Sequence, residues 1–184
     1  MTAIASKSQL RMSFLRYALF TVPAVLLLGT LSGKMAGSGY GNPWFDALAK
    51  PDQMPEGWVF GAAWTILYIL LGLSLALVLH ARGARGRGLA LTLFGIQLLL
   101  NYLWSPIFFA WHQVGTAFWV VVAMILLTAA TAFLFWRIRR AAAFLLLPYL
   151  AWIAFAAWLT WDISRLNPGA EQLVPGVTSS DIEL

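Results

Sequence analysis

The chain contains no cysteine. That excludes a disulfide framework, a thiolate metal site and a cysteine nucleophile, and it leaves the redox compartment unreadable. Charge is nearly as scarce: 10% of the 184 residues are Asp, Glu, Lys or Arg, against about 25% in an average soluble domain. So few charges cannot cover a water-facing surface. The formal net charge of +5 invites a nucleic-acid reading. The cations, however, are scattered between apolar runs, where Lys and Arg set membrane topology, and no nucleic-acid partner is expected. Internal repeats and low-complexity stretches are also missing.

What the chain has is apolar length. Hydrophobic residues make up 61% of it, and the mean hydropathy is +0.78. A membrane-spanning helix needs about 20 mostly apolar residues. Residues 17–33, 57–81, 88–136 and 141–161 carry no Asp, Glu, Lys or Arg. The third run is long enough for two spans, and Ala110-Trp111-His112-Gln113-Val114-Gly115, just after Pro106, is its natural break. The expectation is an all-α integral membrane protein, a bundle of five transmembrane helices near 14–33, 57–80, 88–109, 114–137 and 141–165. A polar segment, 1–13, precedes this membrane domain of residues 14–166. A tail rich in Gly, Pro, Ser and acids, 167–184, has the composition of a disordered segment. The long loop 34–56 holds Trp44, Phe45, Pro51 and Pro55, the composition of a packed lid. The first run, with Lys7, Arg11 and Arg16 before it and Ser32 near its end, also fits a cleaved leader as an alternative.

Orientation follows from counting cations. Lys7, Arg11, Arg16, Arg82, Arg85, Arg87, Arg137, Arg139 and Arg140 fall on one side, and Lys34, Lys50 and Arg165 on the other. The excess predicts a cytoplasmic N-terminus, with the long loop and the C-terminus outside. The cores of the spans lack ionisable groups, which argues against coupled ion transport. His80 and His112, the only histidines, fall at opposite membrane faces, so one chain offers no bis-histidine haem site. No metal site and no required cofactor are expected.

Several ordered motifs carry a resemblance. The long loop and second span read Trp44-Phe45-Asp46-Ala47-Leu48-Ala49-Lys50-Pro51, Pro55-Glu56-Gly57-Trp58-Val59-Phe60-Gly61 and Trp64-Thr65-Ile66-Leu67-Tyr68. The third span carries Gln97-Leu98-Leu99-Leu100-Asn101-Tyr102-Leu103-Trp104-Ser105-Pro106-Ile107-Phe108-Phe109. The fifth carries Pro148-Tyr149-Leu150-Ala151-Trp152-Ile153-Ala154-Phe155-Ala156 and ends in Arg165-Leu166-Asn167. In this order and spacing, over about residues 15–168, they resemble the TspO/MBR family, the tryptophan-rich sensory proteins and translocator proteins or peripheral-type benzodiazepine receptors. Three positions depart from the family pattern. Phe45 replaces a Tyr and Glu56 a Pro, which bears on the loop's conformation. Thr160 replaces an Asn, which removes an amide donor from the last helix.

The resemblance implies a compact five-helix bundle, commonly a homodimer, with a pocket beneath the first loop. It implies binding of porphyrins such as protoporphyrin IX, haem among them, and of sterols or benzodiazepine-site ligands. Sensing in tetrapyrrole or stress regulation, passive porphyrin or sterol transport, and light-dependent porphyrin degradation are the implied activities. The first is the expectation taken here, with no conventional enzyme activity. Carried over residue by residue, the ligand-binding positions are Trp44 in the loop, Trp64 and Tyr68 in the second span, and Gln97, Asn101, Trp104 and Phe108 in the third. Trp152, Phe155 and Ala156 complete them in the fifth. Trp64, Trp104 and Trp152 are the candidates for trapping radicals were light chemistry to occur. Leu159, Trp161 and Arg165 resemble a sterol consensus with Trp in its Tyr slot, a weak pattern.

Depth arithmetic is compatible with a shared pocket. At a rise of 1.5 Å per residue, Trp64 lies about 10 Å below the outer face, Asn101 and Ala156 about 13 Å, and Trp152 about 20 Å. Gln97 and Asn101 are i,i+4 neighbours on one helix face, with Trp104 two turns from Gln97 on the same side. Trp rings would stack on a flat ligand, with the two amides orienting it and Ala156 leaving room. Lys34 and Lys50 are the cations on the mouth side for ligand carboxylates. Plainer readings stand beside these. Trp111, Trp119, Trp136 and Trp161 read as interfacial anchors. Asn101 and Gln97 equally suit bonding between helices. Gly29 with Gly33, and Gly72 with Ala76, bring helices close either within one chain or between two.

Overall fold

The computed structural model describes residues 7–173. Its long helices are α1 (Lys7–Met35), α3 (Gly57–His80), α4 (Arg87–Ser105), α5 (Val114–Ile138) and α6 (Arg140–Leu166), with a five-residue α2 (Pro43–Ala47) in the first loop. Each long helix carries a stretch long and apolar enough to cross a membrane, α4 doing so together with the π-helical turn Pro106–Ala110 that follows it. In lipid every backbone polar group must be satisfied within the segment, so uncharged runs of this length become helices. Around the bundle the neighbours run α1, α3, α6, α5, α4 and back to α1. This is a multi-pass integral membrane protein.

Close approach between helices comes from small residues and short hydrogen bonds. A Cβ on Gly72 would lie 2.6 Å from the Val22 Cα, so α1 and α3 touch backbone to backbone there. Beside that contact the Thr21 hydroxyl donates to the Gly72 carbonyl at 2.8 Å. Gly29 packs under the Tyr68 ring. Both small-residue pairs therefore spend a glycine inside the chain. The Ser74 hydroxyl ties α3 to α6 through the Ala142 carbonyl (2.8 Å), and Tyr102 ties α4 to α1 through the Val25 carbonyl (3.0 Å). Bonds of this kind contribute on the order of 1 kcal/mol each in a membrane.

The helix bounds differ from the sequence expectation in four places. Residues 7–13 are not a separate polar segment, since α1 starts at Lys7; residues 1–6 lie outside the described residues. The third span does not end as a plain helix: Pro106 has no N–H to donate, and the ladder loosens into the π turn. The first loop contains α2, because the Asn42 side chain caps the backbone N–H groups of Trp44 and Phe45 at 3.1 Å each. The segment 167–173 is folded rather than disordered. The Asn167 amide accepts from the Ala49 N–H at 2.8 Å and donates to the Ala49 carbonyl at 2.9 Å. A 3-10 turn follows at Ala170–Gln172, with Ala170 buried. Composition had no means of revealing partners 118 positions away. Residues 174–184 lie outside the described residues.

Candidate functional site

Between the helices, beneath the first loop, lies a cavity of about 830 Å³. The glycine-rich turn Gly37–Gly41 and the start of α2 roof it. Turning the chain there needs left-handed backbone at Gly37, Gly39 and Gly41, with φ of 62°, 101° and 93°. Each long helix contributes wall: Gly33 and Lys34 from α1, Phe60, Trp64 and Tyr68 from α3, and Asn101 and Trp104 from α4. Val121 and Met124 come from α5, and Trp152, Ala156 and Thr160 from α6.

The walls are aromatic and ordered. Trp64 stacks on Tyr68 with centroids 5.3 Å apart, and Trp104 stacks on Phe108 at 5.1 Å and 10°. The Trp104 indole N–H donates to the Ala117 carbonyl at 3.1 Å, which fixes the ring. Asn101 is the polar hub. It accepts from the Tyr68 hydroxyl at 3.0 Å, and its amide donates to the Tyr149 hydroxyl at 3.2 Å. One residue thus bonds three helices together, as the plain reading has it, and also presents an edge to the cavity. Thr160 spends its hydroxyl on the Ala156 carbonyl of its own helix (2.8 Å) and offers the cavity little donor capacity.

Among the described residues, Lys34 is the single charged side chain in the lining. Lys50, the other cation named from the sequence, is occupied elsewhere. Its ammonium donates to the carbonyls of Phe45, Asp46 and Leu48 at 2.8, 3.1 and 3.2 Å, and lies 4.8 Å from the Phe45 ring centroid. It holds the C-terminal end of α2, where carbonyls point outward.

Of the positions named from the sequence, Trp64, Tyr68, Asn101, Trp104, Phe108, Trp152 and Ala156 line the cavity. Trp44, Gln97 and Phe155 do not. Trp44 is 1% exposed and packs behind the lining. It stacks on His112 at 4.3 Å and meets Phe108 edge-on, while its indole N–H donates to the Ala170 carbonyl at 2.8 Å. Gln97 is wholly buried one turn below the cavity floor, accepting from Thr128 at 3.4 Å with its amide nitrogen unpartnered. Phe155 turns to the outer side of α6 and lines a separate groove. The sterol-like set is divided: Leu159 is buried and faces the cavity, while Trp161 is exposed and carries the Arg165 guanidinium 4.9 Å above its ring. Trp111, Trp119 and Trp136 are exposed, as interfacial anchors are.

The sequence reading missed Phe60, Val121 and Met124. Phe60 had a signal, because it lies one turn from Trp64 on the same face of α3. Val121 and Met124 share an i,i+3 face of α5, but nothing in that apolar helix marks the face as special. His80 and His112 sit at opposite ends of the bundle, and among the described residues no three His, Asp or Glu side chains gather as a metal site would require. His112 has a left-handed φ of 57° in the turn before α5.

Comparison with known proteins agrees with the geometry. The TspO/MBR family profile matches residues 21–166. The tryptophan-rich sensory protein of Cereibacter sphaeroides is 40% identical over 126 residues, covering 68% of this chain and 78% of its own length. The human translocator protein is 37% identical over 147 residues, covering 77% and 85%. The tryptophan-rich protein TspO of Bacillus cereus is 31% identical over 166 residues, covering 88% and 97%. With its five membrane helices and its roofed aromatic cavity, this chain belongs to the TspO/MBR family.

Proposed function

We propose that the protein is a receptor-like membrane binder of porphyrins that works in tetrapyrrole or stress regulation, with protoporphyrin IX as the reference ligand. The observation that carries this reading is a cavity walled by Trp64, Tyr68, Trp104 and Trp152 with one cation, Lys34, at its mouth. A flat apolar ring system with an anionic edge matches that layout. The rings stack on the macrocycle, and Lys34 meets a propionate where water is still close. The volume lies within the roughly 300–1,000 Å³ usual for small-molecule sites. The names of the relatives, sensory and translocator proteins, are in keeping with ligand binding in the membrane.

The test is tryptophan quenching by protoporphyrin IX in the dark, repeated with its dimethyl ester. Wild type binds both saturably and prefers the free acid. Lys34→Gln loses that preference, about two- to fivefold, the range an exposed ion pair supports. Lys50→Gln keeps it. Quenching that never saturates, with acid and ester equal, would reduce the effect to partitioning into detergent.

A second reading has its own observation. Trp64, Trp104 and Trp152, three oxidisable rings, all face the cavity. Light-dependent breakdown of bound porphyrin would then use them as radical traps. Illumination followed by mass analysis decides it: product that needs light and fails to form in the three Trp→Phe variants supports degradation. Sterol binding has thinner support, because its consensus-like residues are split between the cavity and the outer surface.

A further inference from the structure

Trp152 belongs to two surfaces. On one side it lines the cavity, and on the other it lines a groove of about 390 Å³ on the outside of the bundle. That groove is bounded by Ala63, Ile66 and Leu67 of α3 and by Pro148, Ala151 and Phe155 of α6, all apolar. By the helical rise it sits about 9–15 Å from the outer end of α3 and about 12–22 Å from the opposite end of α6. Both stretches lie well inside the spans, so lipid chains are what the groove faces.

Four features together mark this seam. The aromatic contacts crossing from α3 to α6 are edge-on pairs, Phe60 with Trp152 at the groove, centroids 5.8 Å apart, and Trp64 with Tyr149 at 6.4 Å. The indole N–H groups of Trp44 and Trp104 are pinned to carbonyls at 2.8 and 3.1 Å, whereas among the described residues no acceptor holds that of Trp152, nor that of Trp64 on the same cavity wall. Pro148 sits inside α6 one turn before Trp152, where it cannot donate to the Phe144 carbonyl and so loosens the local ladder. Small residues on both sides, Ala63 and Ala151, keep the groove open.

We propose that the α3–α6 groove seats a lipid acyl chain and is a lateral portal through which apolar ligands pass between the bilayer and the cavity, with Trp152 as its movable wall. A molecule that partitions into lipid reaches the groove without crossing the polar roof. Rotation of the Trp152 ring away from Phe60 then joins groove to cavity. The ligand-kinetic part rests on the porphyrin reading; the acyl-chain part does not.

The experiment uses the full chain in liposomes containing a phospholipid with a mid-chain diazirine, photolysed and mapped by mass spectrometry. In wild type, adducts at Ile66, Ala151 and Phe155 exceed those at the exposed lipid-facing residues Leu126 and Phe133. In Trp152→Ala, or Trp152→Leu should the first not fold, adducts spread to the cavity residues Trp64 and Met124. Adding the groove-filling Ala63→Trp or Ala151→Phe, which leave the cavity lining untouched, abolishes that spread. The kinetic arm delivers protoporphyrin IX from vesicles: the groove-filling variants slow association and dissociation about tenfold with little change in affinity, since a route alters rates and not the bound state. Adducts no denser in the groove than elsewhere, or confined outside in Trp152→Ala, would overturn the portal. So would unchanged rates in the filled variants. Wild type that never binds porphyrin saturably would defeat the functional reading instead, and the crosslinks would still decide the portal.

Discussion

The Trp44 indole N–H donates to the carbonyl of Ala170 at 2.8 Å, a bond between residues 126 positions apart. It fastens the first loop to the segment after α6, next to the Ala49–Asn167 pair. The roof over the cavity is thus held by the segment that follows α6, which gives a loop of many turn residues a fixed shape.

Replacing Trp44 with Phe keeps an aromatic side chain, smaller than the indole, and deletes the donor. A buried carbonyl left without its partner costs about 1–3 kcal/mol. Amide exchange across residues 36–50 and 167–173 is expected to rise together, because this bond joins the two segments beside the Ala49–Asn167 pair. Porphyrin affinity should fall as well, because residues 37–43 of the loosened loop roof the cavity although the Trp44 ring lies outside the lining. Faster exchange in the loop alone would show that the two segments are held separately.

Gly72 and Gly95 make a matched pair for stability. A Cβ on Gly72 meets the Val22 backbone at 2.6 Å, while one on Gly95 meets nothing within 4 Å. Gly72→Ala should cost about 1–3 kcal/mol by forcing α1 from α3. Gly95→Ala should be neutral or gain up to about 1 kcal/mol from helix propensity. Thermal unfolding in one detergent compares them directly.

Asn101 joins two phenols, so its loss strands both. Asn101→Leu leaves the Tyr68 and Tyr149 hydroxyls unpaired in the bundle, at a cost of about 1–3 kcal/mol for each left without a partner. The melting temperature should fall, and porphyrin affinity with it. The same loss of affinity with an unchanged melting temperature would assign Asn101 to the ligand and not to the bundle.

Gln97 predicts the reverse. Its amide nitrogen is buried without a partner and its oxygen takes one long bond from Thr128. Gln97→Met removes the orphan donor at similar volume, and the Thr128 hydroxyl can turn to a carbonyl of its own helix, as Thr131 does toward Leu127. Stability should hold or rise, and ligand affinity should not move. A clear loss of affinity would restore Gln97 to the site.

Gln97 and Asn101 also show why the sequence reading of the site was partial. An i,i+4 spacing puts both on one face of α4, but it says nothing about where a cavity's floor lies. At the height of Asn101 that face meets open space; one turn deeper it meets Thr128 and the closed core. Phe155 and Ala156 fail differently. They are adjacent on α6, about 100° apart around the axis, and one faces the bilayer while the other faces the cavity.

Sequence alone determined the five spans and their order. Uncharged stretches of spanning length have no stable alternative to helix in lipid, and the charges and turn residues between them mark the breaks. It also marked the chemistry of the site, because the order and spacing of its aromatic and amide residues resemble those of one family. What only the tertiary structure decided is facing. In water, polarity separates the outside of a helix from the inside; in a bilayer both are apolar, so α6 reads alike toward lipid, core and cavity. The roof and the double exposure of Trp152 come from contacts between distant segments, while Lys50 parts from Lys34 by bonding the carbonyls of its own loop. Those contacts arise when backbones touch at Gly72 and carbonyls find donors more than a hundred residues away.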